Sequence, residues 1–195
     1  MISRPLLFGA LVMLLVALGM GLYVWHMRSL SGTEFGEATP RSLAPPVSGP
    51  TEQVVLYVAY DDIGVLRAQA SRIPLPEGRQ QRAEELLRAV LGVYLDKSSP
   101  HPLGAGSEVR NVYLVDPGLA VIDINSAFAN SHRSGILVEE LTVASLVQTL
   151  SANISGITRV KILVDGKERD TLAGHADLTN FYDVAAVNQL AAQLQ

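Results

Sequence analysis

The strongest hydrophobic pattern outside the first 28 residues predicts a strand, a loop, a helix and a second strand between positions 119 and 166. Two apolar runs, Leu119–Ile124 and Val160–Val164, flank the helix. Within the predicted helix, apolar residues recur every three or four positions, which is the period of one helix face. The apolar set is Leu137, Leu141, Ala144, Val147 and Leu150, and the opposite, polar set is Glu139, Glu140, Thr142, Ser145, Gln148 and Ser151. Such a helix has to bury its apolar face, and the flanking strands provide the nearest sheet.

The same criteria place the remaining elements, with Gly, Pro and Asp marking the turns between them. The predicted strands are Gln53–Tyr60, Val65–Ile73, Val109–Val115, Leu119–Ile124, Arg159–Val164 and Arg169–Leu172, and the other predicted helices are Arg79–Leu95 and Val184–Leu194. Asp165-Gly166 is a two-residue hairpin signal that would pair the last two strands. The order predicts an α+β fold, with a mixed or antiparallel sheet and helices packed on one face.

The first 28 residues form a separate unit, predicted to be a membrane anchor. Leu6–Trp25 holds 20 residues without a charge, which at 1.5 Å per residue is about 30 Å, the thickness of the hydrocarbon core. Leu6 and Leu14 lie in the apolar run, and Tyr23 and Trp25 lie at its far end, where amphipathic rings favour the interface. A cleaved signal peptide is the competing interpretation, but its apolar region should be shorter. We favour an uncleaved single transmembrane helix with the C-terminal domain outside the cytoplasm.

Residues 29–51 are predicted to be a linker between this anchor and a domain at residues 52–195. The segment is rich in Pro, Gly and Ser and has no apolar periodicity. It therefore cannot bury enough surface to offset the entropy of ordering it.

The net charge of residues 51–195 limits the classes of partner that this part of the chain is expected to bind. From Thr51 to Gln195 there are 12 Lys and Arg against 17 Asp and Glu, a net charge of −5, which argues against nucleic-acid binding. Five arginines nevertheless cluster, and acidic residues are interleaved with them; they are Arg67, Arg72, Arg79, Arg82 and Arg88. A mixed solvated face is the favoured interpretation, and a patch for anionic lipid or polymer is the alternative.

Candidate chemistry is concentrated in the tail, where His, Asp, Asn and Tyr occur together. His175 and Asp177 would supply two metal ligands or an acid/base pair, with Tyr182 nearby, and Asp123 interrupts a predicted strand as a second carboxylate candidate. In the favoured structural interpretation, His175 fixes a turn, Phe181 and Tyr182 cover the sheet edge, and Asp123 braces the loop at residues 125–133. The chain has no cysteine, and its histidines lack the spacing of a helical zinc motif. We therefore predict no metal, no cofactor and no catalytic residues.

Three motifs in the central unit resemble a known family. The strand Val121-Ile122-Asp123-Ile124-Asn125 is followed by Phe128, the helix carries Glu140-Leu141-Thr142 and Leu146-Val147-Gln148-Thr149-Leu150, and the next strand ends in Val164-Asp165-Gly166-Lys167. Together they resemble the GerMN domain of bacterial sporulation and spore-germination proteins. The resemblance covers residues 54–172 and implies the same α+β layout.

The resemblance also implies a role. It points to a non-enzymatic module on the outer side of the bacterial cytoplasmic membrane that assembles with other envelope or sporulation proteins. It also admits self-association into a homo-oligomer and contact with peptidoglycan. Two alternatives stay open: an envelope hydrolase using His175 and Asp177, and a glycan-binding module with an aromatic groove. The candidate aromatics for that groove are Tyr60, Tyr94, Tyr113 and Tyr182.

Overall fold

The structure is a computed structural model that describes residues 50–193, together with Met13, Leu18 and Met20. Residues 50–193 belong to the second of two units, Met1–Pro40 and Arg41–Gln195. The predicted anchor at Leu6–Trp25, apart from those three residues, and the predicted linker up to residue 49 lie outside the described part. Among the helices that are described, none is both long and apolar enough to cross a membrane.

Six strands and four helices make up the described domain, in the order ββαββααββα. The strands are β1 (Thr51–Tyr60), β2 (Val65–Pro74), β3 (Val109–Val115), β4 (Leu119–Ile124), β5 (Arg159–Val164) and β6 (Tyr182–Asp183). The helices are α1 (Arg79–Leu95), α2 (Ser126–Ser131), α3 (Ile136–Asn153) and α4 (Val184–Gln193). The α+β class is therefore confirmed.

The strands form two sheets, whereas the sequence analysis expected one. β1 and β2 make an antiparallel hairpin that stands alone, and the other four strands pair in the order β3-β4-β5-β6. β4 and β5 run parallel, and the other pairs in that sheet are antiparallel. α1 contacts β3, α3 contacts β1, and the two helices contact each other. The helices thus join the two sheets, and they do not simply cover one face of a single sheet.

The hairpin stays separate because α3 occupies the edge of β1 that faces away from β2. Asn153 and Thr149 accept hydrogen bonds from the backbone N–H groups of Val55 and Tyr57. Ser145 donates to the Tyr57 carbonyl. Positions four apart on a helix are about 6 Å apart along its axis, and alternate strand residues are about 6.6–6.8 Å apart, so the two repeats match. Polar side chains of α3 therefore take the place of a third strand.

This packing overturns the polar side predicted for α3. Glu139, Thr142, Ser145 and Gln148 are all buried. Leu137, predicted to lie in the apolar stripe, is exposed instead. The helix is covered on several sides, so an apolar stripe alone does not set its orientation.

The segment after β5 also differs from the prediction. Asp165-Gly166 does turn the chain, but Arg169–Leu172 does not form a strand and contributes one isolated bridge between Thr171 and Asp177. The edge next to β5 is taken by β6, where Tyr182 pairs with Val160. The buried Lys161 ammonium holds the preceding loop by donating to the carbonyls of Leu178 and Thr179. The predicted end of the last helix, Leu194, lies outside the described residues.

Candidate functional site

A groove of about 370 Å³ opens between α3, the segment at residues 175–182 and α4. Its floor is mostly apolar and its rim is polar. It is lined by Glu140, Val143, Ala144, His175, Ala176, Asp177, Asn180, Tyr182, Val187 and Leu190. This is the candidate functional site, and we call it the tail groove.

The tail groove brings together three of the four predicted site residues, His175, Asp177 and Tyr182. Asp123 is elsewhere, at the end of β4, where its carboxylate accepts a hydrogen bond from the Gly166 N–H at 2.7 Å. Burial raises the pKa of Asp123, and the Gly166 bond and the Arg110 charge oppose that rise. Asp123 therefore braces the turn after β5, and its predicted role at the loop of residues 125–133 is wrong.

The wall of the groove that carries His175 is held by Glu139, a residue the sequence analysis placed on an exposed face. Its fully buried carboxylate accepts hydrogen bonds from the backbone N–H groups of Ala173, His175 and Ala176, each at 2.9–3.0 Å. Its other oxygen lies 2.9 Å from Nδ1 of the His175 ring and accepts the Gly135 N–H. Glu139 therefore fixes both the tail segment and the ring of His175.

The pKa of Glu139 reflects these hydrogen bonds. Burial alone would raise this pKa, but the hydrogen bond with the His175 ring and the three backbone donors outweigh burial and lower it to about 2. The carboxylate is consequently ionised at neutral pH. It serves as an internal anchor for residues 173–176, and its oxygens do not face the groove.

Asp177 is also engaged within its own turn. Oδ1 accepts hydrogen bonds from the backbone N–H and the hydroxyl of Thr179, and Oδ2 accepts one from the Asn180 amide. These bonds lower the pKa of Asp177, with the Thr179 hydroxyl as the largest cause. His175 and Asp177 thus bond to different partners, and the arrangement resembles a braced turn more than an acid/base pair.

Tyr182 closes the rim. Its hydroxyl donates to the Asp177 carbonyl at 2.6 Å. Burial, assisted by the charge of Asp177, raises the pKa of Tyr182 to about 12, so the phenol keeps its proton and remains a donor. This agrees with the structural interpretation, in which Tyr182 covers the sheet edge.

Because the Asp177 carboxylate and the Tyr182 phenol are bonded internally, the groove offers a ligand its apolar floor and, on the rim, the Glu140 carboxylate. Val143, Ala144 and Val187 pack into the core, and Leu190 on α4 remains 37% exposed. A concave apolar surface with a polar rim suits an apolar side chain or a short apolar segment. In the described residues, His, Asp and Glu side chains form no group of three or more that could hold a metal ion.

A second polar cluster is fully internal and was missed by the sequence analysis. His101 lies between Asp61 and Thr142, with Nδ1 2.5 Å from the Asp61 carboxylate and Nε2 2.7 Å from the Thr142 hydroxyl. His132 also places Nε2 2.7 Å from that hydroxyl. Burial lowers the pKa of both histidines, and Asp61 opposes the shift at His101.

The order Asp61, His101, Thr142 resembles a nucleophile activated by a base and an orienting acid. The hydroxyl is nevertheless fully buried and also lies 3.0 Å from the Val138 carbonyl, to which it donates. Three neighbours surround it and leave no approach for a substrate, so the cluster is structural. It ties the β1–β2 turn to α3. No distinct signal in the sequence points to it, because Thr142 belongs to the polar set of that helix.

The tyrosines do not form the aromatic groove of the glycan-binding alternative. Tyr94 is buried, and its hydroxyl accepts from or donates to Ser145 and accepts the Ala59 N–H. Tyr113 is exposed on β3, and Tyr60 bonds Gln69 on the hairpin. Of these four tyrosines, only Tyr182 lines the tail groove.

Comparison with known proteins gives the family. The Germane family, described as "Sporulation and spore germination", matches residues 55–170. No curated protein matches the chain. Among solved structures, the tandem GerMN domains of the sporulation protein GerM from Bacillus subtilis share 25% identity, with a TM-score of 0.50, over 67% of this chain and 45% of that one. The chain thus matches less than half of the tandem GerM structure.

Two further structures are similar at lower identity. The first GerMN domain of the same GerM protein matches at 23% identity and a TM-score of 0.45, over 67% of this chain and 95% of that one. A Clostridium perfringens protein named as a lipoprotein matches at 18% identity and a TM-score of 0.46, over 73% and 93%.

Proposed function

Since the chain belongs to the Germane family of sporulation and spore-germination domains, we propose that it is a membrane-tethered assembly module that binds another envelope protein in the tail groove. The single observation that carries the proposal is the state of the groove: its floor is apolar, and Asp177 and Tyr182 on its rim are bonded internally. Asp177 is bonded by Thr179 and Asn180, and Tyr182 bonds the Asp177 carbonyl. Such a surface favours recognition of an apolar group over acid/base chemistry.

The compartment forms part of the proposal. Leu6–Trp25 would anchor the chain in the bacterial cytoplasmic membrane, and residues 29–51 would let the domain stand away from the bilayer on its outer side. The net charge of −5 in residues 51–195 suits protein partners better than nucleic acid.

The test uses the tagged full chain, crosslinked in its native host and then enriched. It is compared with a chain lacking residues 51–195 and with Leu190→Asp, which places a carboxylate in the floor of the groove. We expect the full chain to enrich one or more envelope or sporulation proteins. Both altered chains should lose them, because the apolar contact is removed or charged.

The matched control is Gln189→Asp, which adds the same charge to an exposed neighbour that does not line the groove. It should retain the partners. Recovery of only peptidoglycan fragments, or equal enrichment by Leu190→Asp and the native chain, would contradict the proposal.

A further inference from the structure

The outer edge of β2 is a second surface that the fold leaves open. The hydrogen bonds of β1 show which backbone groups of β2 point outward along this edge. Side chains from α3 and α1 bond the backbone N–H groups of Val55, Tyr57 and Ala59. The backbone N–H and C=O groups of odd-numbered β1 residues therefore point away from β2, and those of even-numbered residues point toward it. The two directions alternate along a strand.

The register carries this alternation across to β2. Leu56 pairs with Gln69 and Val58 pairs with Arg67, so odd-numbered residues of β2 bond to β1. Even-numbered residues point their N–H and C=O groups outward. Ala68, Ala70 and Arg72 are exposed members of that set, and within residues 50–193 their outward backbone groups have no hydrogen-bond partner.

The side chains on this edge leave the backbone accessible. Ala68 and Ala70 are small, and β2 has ten residues, which is long for an unpaired edge. Natural edge strands are commonly protected by Lys, by Pro or by a bulge. Here a Pro stands only at the end of the strand, at Pro74, and the register of the hairpin is continuous.

Charge then restricts what can pair there. β2 contains Arg67 and Arg72 and no acidic residue. Of the five clustered arginines, Arg82 pairs with Glu52 and Arg88 with Glu85, while Arg79 donates to the Ser155 carbonyl. Arg67 and Arg72 are both exposed and form no ion pair within residues 50–193. The strand is thus a basic edge on a domain of net charge −5.

We propose that β2 binds an extended, acidic segment of a partner polypeptide, which adds to the hairpin as a third strand. Outward backbone groups supply the hydrogen bonds, and Arg67 and Arg72 select carboxylate side chains. A second copy of this chain fits less well, because pairing two β2 strands brings like charges together. The surface is separate from the tail groove, so the inference goes beyond the proposed function.

The probe is a short synthetic peptide of alternating Val, Thr and Glu, with the same peptide carrying Lys for Glu as its control. Amide hydrogen exchange is followed by NMR on the full chain in detergent micelles. With the acidic peptide, exchange at the Ala68 and Ala70 N–H groups should slow by about tenfold or more. The Gln69 N–H already bonds to β1 and should not change, and neither should any amide of β2 when the Lys peptide is added.

Three double variants distinguish the contribution of backbone pairing from that of charge. Ala68→Pro with Ala70→Pro removes only outward N–H groups, which an edge strand tolerates, and should abolish peptide binding. Ala68→Thr with Ala70→Thr keeps those groups and should retain it. Arg67→Gln with Arg72→Gln should weaken binding of the acidic peptide and reduce its salt dependence.

Three results would overturn the inference. One is an unchanged exchange rate at Ala68 and Ala70 with the acidic peptide. Another is protection that rises with protein concentration in the absence of peptide, which would assign the edge to a second copy. The third is protection by phosphatidylglycerol vesicles that survives the proline variant, which would assign it to a lipid surface.

Discussion

The side-chain amide of Asn153 bonds both backbone groups of Val55. Its Oδ1 accepts the Val55 N–H at 3.0 Å, and its Nδ2 donates to the Val55 carbonyl at 2.7 Å. An amide side chain thereby makes the two contacts that a neighbouring strand would make. This pairing occupies the hydrogen-bonding groups at the β1 edge, so β2 is the open edge of the hairpin.

Asn153→Ala should destabilise the domain by about 1–3 kcal/mol, because the N–H and C=O of Val55 lose their partners in a half-buried position. The measurement is the free energy of unfolding from urea titration. Ser151→Ala is the matched control on the same helix turn, since its hydroxyl makes only a 3.4 Å contact with the Gln148 carbonyl. Equal stability of the two variants would show that Asn153 does not cap the edge.

The Glu139 carboxylate should make the domain sensitive to acid. The pKa of Glu139 in the folded domain, about 2, lies below the usual 4.5. Its contribution to folding stability is therefore fully present above pH 4.5 and is lost as the pH falls toward 2. That shift corresponds to on the order of 3 kcal/mol. Glu139→Gln should lose stability by a similar amount at neutral pH and should flatten the pH dependence between 4.5 and 2.

Glu140→Gln is the control for that experiment, because Glu140 is the next residue on α3 and lies on the groove rim. It should leave both the neutral stability and the acid dependence nearly unchanged. A Glu139→Gln variant with native stability and a native acid profile would contradict the role of Glu139 as the anchor of residues 173–176.

The buried histidines predict a second, milder pH effect. Burial lowers the pKa of His101 and of His132 below 6.5. As the pH falls below 6.5 the unfolded chain takes up protons that the folded chain resists, so stability should fall. Asp61 and Thr142 contact the rings, and the charges of Arg133 and Glu139 also act on them.

Thr142→Val tests the network directly. The change removes the hydroxyl between the two rings and should cost about 1–3 kcal/mol at neutral pH. Unfolding free energies at pH 7.5 and 5.5 would be compared with those of a double variant, His101→Gln with His132→Gln, whose slope in this range should be flatter. A native chain whose stability does not change between these pH values would contradict the argument.

The predicted membrane anchor is tested by membrane extraction at alkaline pH. The native full chain should remain in the membrane pellet. Leu14→Arg, at the centre of the apolar run, should shift it toward the soluble fraction, since an arginine there costs about 2.5–3.5 kcal/mol. A native chain that is released by alkali, or whose mature N-terminus begins after residue 19, would support a cleaved signal peptide instead.

Local pattern was enough to predict most of the elements. Arg79–Leu95 and Arg159–Val164 have the predicted bounds, because their periodicity and turn residues agree with their tertiary surroundings. The Arg169–Leu172 strand failed because Asp165-Gly166 can close a turn without a paired strand. Tyr182 takes part of the β5 edge instead.

The site was harder to predict, because its key contacts join distant segments. His175, Asp177 and Tyr182 are close in sequence, so their shared groove could be anticipated. Glu139 lies 36 residues from His175, and its polarity suggested solvent exposure. The same applies to Thr142 and His101: a buried polar residue and an exposed one look alike until the partner that satisfies it is placed.

The most direct test of the central claim is photo-crosslinking in the native host from the full chain, with a photoreactive amino acid at Leu190. Gln189, its exposed neighbour outside the groove, carries the same probe as control. The proposed function predicts a crosslink from position 190 to an envelope or sporulation protein. The crosslink should be lost when Val143→Asp is introduced into the same chain, provided that this variant is shown to remain folded. Equal crosslinks from positions 189 and 190, or a position-190 product that contains only peptidoglycan, would contradict protein recognition in the tail groove.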